Sequence, residues 1–332
     1  MSRLQDLTQA LRASRGFAHK RDIAAVLARL DPAAPAGVPN GDDCAVLPLA
    51  GGLGYQLLAI EGLVPDFVSS QPWFAGYSAV MVNLSDIAAM GGRATGVVDA
   101  LWARDSAQAG ELLAGLRAAA ERYGVPLLGG HSNLRAAQGQ LAVAVLGHAR
   151  QLITSFDARA GDRLLVAVDL RGAWQGDQPF WNASTSAPPQ RLRDDLALLP
   201  QLAEDGLCRA GKDISMAGVL GSLLMLLECS GVGACVDLAQ LPMPAGTLDD
   251  DAALLRWLSA FPSYGFVLSV PAARAEAVQA RFTARGLPCA DIGAVDGSRQ
   301  LSLRLHGEQA GLWDLAAEPF IGAAPVAQRE AA

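Results

Sequence analysis

Apolar residues recur at helical spacing from the start of the chain, where Leu4, Leu7 and Leu11 share one face. A second helical pattern over 22–30 stops at Asp31-Pro32, because the residue before a proline is pushed out of the helical region. Proline and glycine crowd positions 32–41, a loop that delivers Gly41-Asp42-Asp43 to the short apolar strand Ala45-Val46-Leu47. A buried strand over 55–60 then ends on Glu61, followed by a helix over 78–90, a strand over 95–101 and an amphipathic helix over 108–123. A short strand over 126–128 enters a glycine turn at Gly129-Gly130-His131-Ser132, and a strand over 140–148 closes the half. Strands and helices interleave, which predicts a mixed α/β or α+β layer structure.

The second half repeats the alternation. A junction at 156–161 leads to a strand over 162–168. Residues 171–190 are rich in Gly, Pro and Ser, with Trp174, Phe180 and Trp181 among them. This composition predicts a loop that is either mobile or in contact with a second substrate, since exposed tryptophans are costly. A helix over 191–202 precedes Lys212-Asp213-Ile214-Ser215, read as the cap of an apolar helix over 216–229 that stops at Gly231. The N-terminus of that helix is a fair phosphate or carboxylate site. Strands over 232–238, 264–270, 290–295 and 300–305 and helices over 249–259 and 272–285 follow, with an Ala-rich tail after Phe320 that is expected to fray. A chain of 332 residues exceeds the usual single-core limit of ~250–300, so two domains are expected, 1–155 and 156–332.

Hydrophobic residues make up 51% and charged residues 18%, enough apolar material for buried sheets. The net charge of -7 opposes nucleic-acid binding, which needs clustered cations, but is compatible with a nucleotide carried on Mg²⁺. No apolar run approaches the ~20 residues that span a bilayer. The first residues lack the apolar region of a signal peptide, and the five cysteines form no CxxC pair, so a reducing, cytoplasmic location is expected. Of the 26 basic residues just two are lysines, Lys20 and Lys212; chance explains this, or these positions need a compact ammonium against phosphate.

Two stretches carry candidate chemistry. Asn83 and Asp86, three residues apart in the helix that ends at Gly91-Gly92, can point at one ligand, or they face solvent while Gly91 caps the helix. Asp42 and Asp43 repel each other unless solvated or bound to a cation.

Four blocks in order, Gly-Asp-Asp-Cys-Ala-Val at 41–46, Asn-Leu-Ser-Asp-Ile-Ala-Ala-Met-Gly at 83–91, Gly-Gly-His-Ser at 129–132 and Lys-Asp-Ile-Ser at 212–215, resemble the superfamily of aminoimidazole ribonucleotide (AIR) synthase, thiamine-monophosphate kinase, selenophosphate synthetase and the hydrogenase-maturation protein HypE. The resemblance spans about residues 20–300. It implies a two-domain α/β (α+β) fold of the AIR synthase type, with the N-terminal domains of two subunits pairing into a shared β-barrel. It also implies ATP bound near that homodimer interface, its phosphates held through Mg²⁺. Carried onto this chain, the metal carboxylates are Asp42, Asp43, Glu61 and Asp86. Gly129 and Gly130 match the glycine turn near the phosphates; Asn83, Asp86, Ser132 and Lys20 are read here as further nucleotide contacts, and Lys212, Asp213 and His131 as the acceptor side.

The chain also departs from these relatives. Its strand-end motif is shortened after Glu61, and His131 stands where the kinase has an acid, so the change loses a metal ligand, or His131 contacts a phosphate or the acceptor, or it is a hydrogen-bonded structural histidine. The first cysteine, Cys44, lies inside the Gly-Asp-Asp turn, unlike selenophosphate synthetase, and the chain ends Arg329-Glu330-Ala331-Ala332 rather than on the cysteine of HypE. The resemblance therefore implies ATP- and Mg²⁺-dependent phosphoryl transfer to an unidentified small molecule, with a kinase or a ligase/cyclo-ligase outcome. The alternatives are a thiamine-monophosphate kinase-like activity and a non-catalytic nucleotide-binding regulator.

Overall fold

The computed structural model describes residues 2–29 and 38–323; the helix stop at Asp31-Pro32, most of the 32–41 loop and the tail from 324 lie outside the described residues. Serines open the first two helices. Ser2 caps α1 (Arg3–Arg12) in a capping box with Gln5, and the Ser14 side chain accepts from Phe17 N at the start of α2 (Arg15–Leu27). The chain continues through β1 (Ala45–Pro48), β2 (Tyr55–Gly62), α3 (Pro65–Ser70), α4 (Pro72–Ala89), β3 (Arg93–Trp102), α5 (Ser106–Tyr123), β4 (Leu127–Asn133) and β5 (Gln140–Ala149). It then runs through β6 (Asp162–Val168), β7 (Ala173–Trp174), β8 (Phe180–Asn182), α6 (Pro189–Leu196), α7 (Leu198–Glu204), β9 (Ala210–Asp213), α8 (Gly218–Ser230) and β10 (Gly233–Asp237). The last elements are α9 (Asp251–Leu258), β11 (Phe261–Pro262), β12 (Gly265–Pro271), α10 (Ala275–Thr283), β13 (Cys289–Asp296), β14 (Gln300–Leu305) and β15 (Glu308–Asp314).

Two compact units interleave in sequence: one holds residues 43–152 and 186–201, the other 1–42, 153–185 and 202–332. The first unit is built on a five-stranded sheet in the order β1-β2-β5-β3-β4. Alternation along the strands buries Leu57, Ala59, Val97, Leu101, Val143 and Val145 on one face, the face that α4 covers. Gly76 and Gly115 let α4 and α5 touch backbone to backbone, for a Cβ on Gly115 would lie 1.9 Å from Trp73 O. The opposite face carries Leu58, Ile60, Val98, Leu128 and Leu146, with Ile60 68% and Leu128 66% exposed. Among the described residues the sheet is open, with β1 and β4 at its edges, and closes no barrel.

The second unit centres on a seven-stranded sheet, β15-β14-β10-β13-β6-β12-β9. Against it lies α8, buried from Gly218 to Cys229 and capped by Gly231 at φ +69°. The helix is apolar nearly all round, as its sequence predicts. Phe17, Trp313 and Phe320 pack edge to face or tilted, tying α2, β15 and the final segment together.

Two expectations change here. Residues 171–190 are not a bare loop: β7 and β8 join β11 in a small sheet, and Trp174, Trp181 and Trp257 meet edge to face. The Trp181 indole donates to Asp169 O at 3.0 Å, and Arg256 lies over Trp174. The tryptophans thus find partners inside their own unit. Nor do Lys212 and Asp213 cap a helix, because they end β9 and pair with Val267 and Phe266 of β12, while α8 begins at Gly218 with Ala217 ahead of it and no side-chain cap.

Candidate functional site

Helix α4 builds the centre of the site. Pro72 starts it at a position where a missing N–H costs nothing, and every residue from Phe74 to Ala89 is buried. Gly91, at φ +72°, ends it: Gly91 N–H donates to Ala88 O and Gly92 N–H to Ile87 O, both at 2.8 Å. Neither Asn83 nor Asp86 faces solvent. The Asn83 amide donates to Ala79 O at 2.7 Å and to Val143 O of β5 at 3.0 Å, so it pins α4 to the sheet one turn before Asp86. Asp86 is 6% exposed, a burial that costs a carboxylate dearly unless a partner or cation compensates.

Asp43 supplies a second carboxylate from the turn leading into β1. Carboxylate oxygens of Asp43 and Asp86 lie within 4.8 Å of each other. Two such charges repel, whereas a Mg²⁺ taking each oxygen at about 2.1 Å would need only a small closure to bridge them. Both donors are hard oxygens, so the pair fits that ion. Asp42, one residue earlier, is spent differently. Its two oxygens accept from Ser155, Oδ2 from the backbone N–H at 2.8 Å and Oδ1 from the hydroxyl at 2.7 Å.

The other predicted residues lie on the sheet. Glu61 is exposed near the end of β2 and pairs with Val143 of β5, which pairs with Asp99 of β3, which pairs with Gly130 of β4. These four form one row across the sheet on the side of buried Val143. Gly129 and Gly130 therefore stand inside a strand and not in a turn, with a register shift opposite Val97 and Val98 and Gly129 at φ +146°. His131 pairs with Ala100, so alternation puts it on the opposite, apolar side from Gly130, while Ser132 returns to the side of Gly130; both are exposed. Lys20 is half-buried on α2. Lys212 and Asp213 are both buried on the edge strand β9 of the larger sheet.

Asp99 was not a predicted site residue, and the structure brings it into the row of Glu61. A Cβ at Gly130 would come within 2.3 Å of Asp99 Oδ1, so the second glycine is required by the carboxylate beside it. Asp99 Oδ2 is shut off from solvent with no hydrogen-bond partner among the described residues. Burial pushes the Asp99 carboxyl above the ordinary range, opposed by a backbone hydrogen bond. A carboxyl raised in the folded state keeps its proton longer there than in the unfolded chain. Its contribution to stability is therefore lost as pH rises from about 3.9 through the raised value. Asp99→Asn is expected to unfold at a higher temperature than wild type at neutral pH, with the gain shrinking toward about pH 4. Circular dichroism melts at the two pH values check this; a gain independent of pH would show that the charge carries no penalty.

Burial pushes the thiols of Cys208 and Cys289 up to about 12, which keeps both protonated and poor as nucleophiles. Among the described residues no helix is long and apolar enough to cross a membrane.

Residues 41–149 match the model of the AIR synthase related protein N-terminal domain, and residues 172–306 that of the C-terminal domain. An uncharacterized protein of Synechocystis is 44% identical over 96% of this chain and 98% of its own. The thiamine-monophosphate kinase of Synechococcus elongatus is 30% identical over 65% of this chain and 72% of its own. Among solved structures, T. maritima PurL complexed with ATP has the same fold, with a TM-score of 0.71 at 17% identity over 98% of this chain and 53% of that one.

Proposed function

The chain belongs to the AIR synthase related family, and on that premise we propose that it is an ATP- and Mg²⁺-dependent phosphoryl-transfer enzyme acting on a small-molecule acceptor. The observation that carries the reading is the approach of Asp43 and Asp86 to within 4.8 Å on a helix locked by Asn83. Asp43 and Asp86 would hold Mg²⁺, with Glu61 as a further oxygen donor near the strand end. When bound, the ion would neutralise charge on the polyphosphate. The chain's own part is positioning: α4 fixes one carboxylate against the sheet, and the exposed edge strand β4 offers Gly129, Gly130 and Ser132 to the phosphates. Lys20 is a further candidate for them. Lys212 and Asp213 are assigned to the acceptor, because a buried ammonium and carboxylate are retained at a cost that function explains. His131, on the apolar side of the sheet, is assigned to a homodimer interface or the acceptor.

The ATP-bound fold relative and the kinase relative support nucleotide use. Identity of 30% to a thiamine-monophosphate kinase favours kinase over ligase or cyclo-ligase chemistry as the second reading to test. Calorimetry with ATP and Mg²⁺, followed by ADP release across amides, amidines and phosphorylated acceptors including thiamine monophosphate, separates the cases. Nucleotide binding with turnover of one acceptor class is the expected result. Binding with no turnover on any of them would leave a nucleotide-binding regulator, and no binding at all would overturn the proposal.

A further inference from the structure

Resting on the reading that Asp43 holds a metal, we infer that the C-terminal end of α8 is a positioning device for the acidic turn, acting through Ser155. Three consecutive residues at the end of that helix each make a different connection. Ser230 Oγ donates to Ser155 O at 2.7 Å and accepts from Ala158 N–H at 3.0 Å, so both its donor and an acceptor position are used. Ser155, held in this way and fully buried, turns its own N–H and hydroxyl onto the two oxygens of Asp42 at 2.8 and 2.7 Å. A two-point grip of this kind fixes the plane of the carboxylate as well as its place. Cys229 Sγ reaches Gly41 O at 3.8 Å. Glu228 accepts the backbone N–H groups of Phe320, Ile321 and Gly322 at 2.9, 2.7 and 3.2 Å, and the next residue, Ala323, packs against Gly41.

The turn before Asp43 is thereby clamped from two sides, by Ser155 on the Asp42 carboxylate and by Cys229 with the 320–323 segment on Gly41. Asp42 is an anchor in this arrangement and not a metal ligand. Its neighbour Asp43 takes its direction from the anchored backbone, since one peptide link separates them. Ser155 and Ser230 are positioning residues: neither touches the metal, and each acts through the next.

The consequence is a dependence that simple stabilisation does not produce. In the full chain, Ser155→Ala is expected to raise the Mn²⁺ concentration for half-maximal ATP binding about tenfold, and Ser230→Ala about threefold. Because Ser230 acts through Ser155, the double variant should be no worse than Ser155→Ala alone. Asp42→Asn, which keeps the shape and loses the charged grip, should reproduce the Ser155→Ala shift even where that variant folds poorly. Titration of Mn²⁺ by calorimetry, beside thermal melts of each variant, reads all of these. Melting temperatures that fall with unchanged Mn²⁺ dependence would make the clamp purely structural and overturn the inference, as would effects of the two serines that multiply. A wild-type chain that takes up no Mn²⁺, with or without ATP, overturns the metal reading along with it, whereas wild-type binding with unshifted variants overturns the clamp alone.

Discussion

Replacing Asp43 and Asp86 together by asparagine is expected to abolish Mg²⁺-dependent ATP binding while the chain still folds. The two carboxylates lie within 4.8 Å of each other, and Asp86 is buried on a helix with no freedom to retreat. In the absence of metal the change removes two like charges held close together. In its presence the same change takes away the hard, charged oxygens that Mg²⁺ requires, and neutral amides replace them poorly. Ligand at a hundred times its dissociation constant stabilises a folded protein by about 2.7 kcal/mol. Wild type should therefore melt several degrees higher with Mg²⁺ and ATP, and the double variant should not move. Each single variant should lose most of the shift, because the two side chains serve one ion and their effects are not additive. A double variant that keeps the full ligand-induced shift would remove both residues from the site.

How much of this was legible before the structure depends on the element. Strand β6 lies where its apolar run predicts, at 162–168, because a short run of Leu and Val has no competing period. Helix α4 begins at Pro72, six residues ahead of the predicted 78, since Trp73, Phe74 and Tyr77 extend an apolar surface whose start is marked by the proline alone. Strand β15 escaped notice because just Leu312 and Trp313 in it are buried. At Gly129-Gly130 two poor strand formers read as a turn, yet the second glycine is there to clear the Asp99 carboxylate, a contact between strands that one sequence does not display. Asp99 itself left a trace, a lone carboxylate inside Val97-Val98-Asp99-Ala100-Leu101. Lys212-Asp213 read as a cap because charge before an apolar helix has that form, and pairing with β12 overrides it. The tryptophans of β7 and β8 read as part of a loop for the same reason: Trp257, which packs against them, lies over seventy residues away in the chain. The Asp43–Asp86 pairing was legible as two separate motifs, and their approach was supplied by the family resemblance and then by the geometry.

The exposed side of the five-stranded sheet sets the last expectation. Leu58 of β2 pairs with Leu146 of β5, and Leu128 lies over Gly96. Ile60 pairs with Ala144, which pairs with Val98. These residues form two adjacent apolar rows on a face that no helix among the described residues covers, and a contiguous apolar patch of this kind on a lone subunit marks an interaction site. We propose a second copy of the chain as its occupant, in keeping with the subunit pairing that the family resemblance implies. Burial of each such side chain contributes about 1.5–3 kcal/mol, so a handful can hold two subunits together at micromolar concentration. Ile60→Glu with Leu146→Glu is expected to convert a dimer of 34.5 kDa chains to monomer by light scattering, with an unchanged far-ultraviolet spectrum because both side chains already face outward in one chain. Charges on both faces of a two-fold interface meet their own copies, and the desolvation cost is added to the repulsion. A wild-type chain that scatters as a monomer at micromolar concentration would remove the second copy from the argument. Loss of nucleotide turnover in a folded, monomeric variant would instead place the active state in the pair, because Asp43, Asp86 and their anchors are untouched by these substitutions.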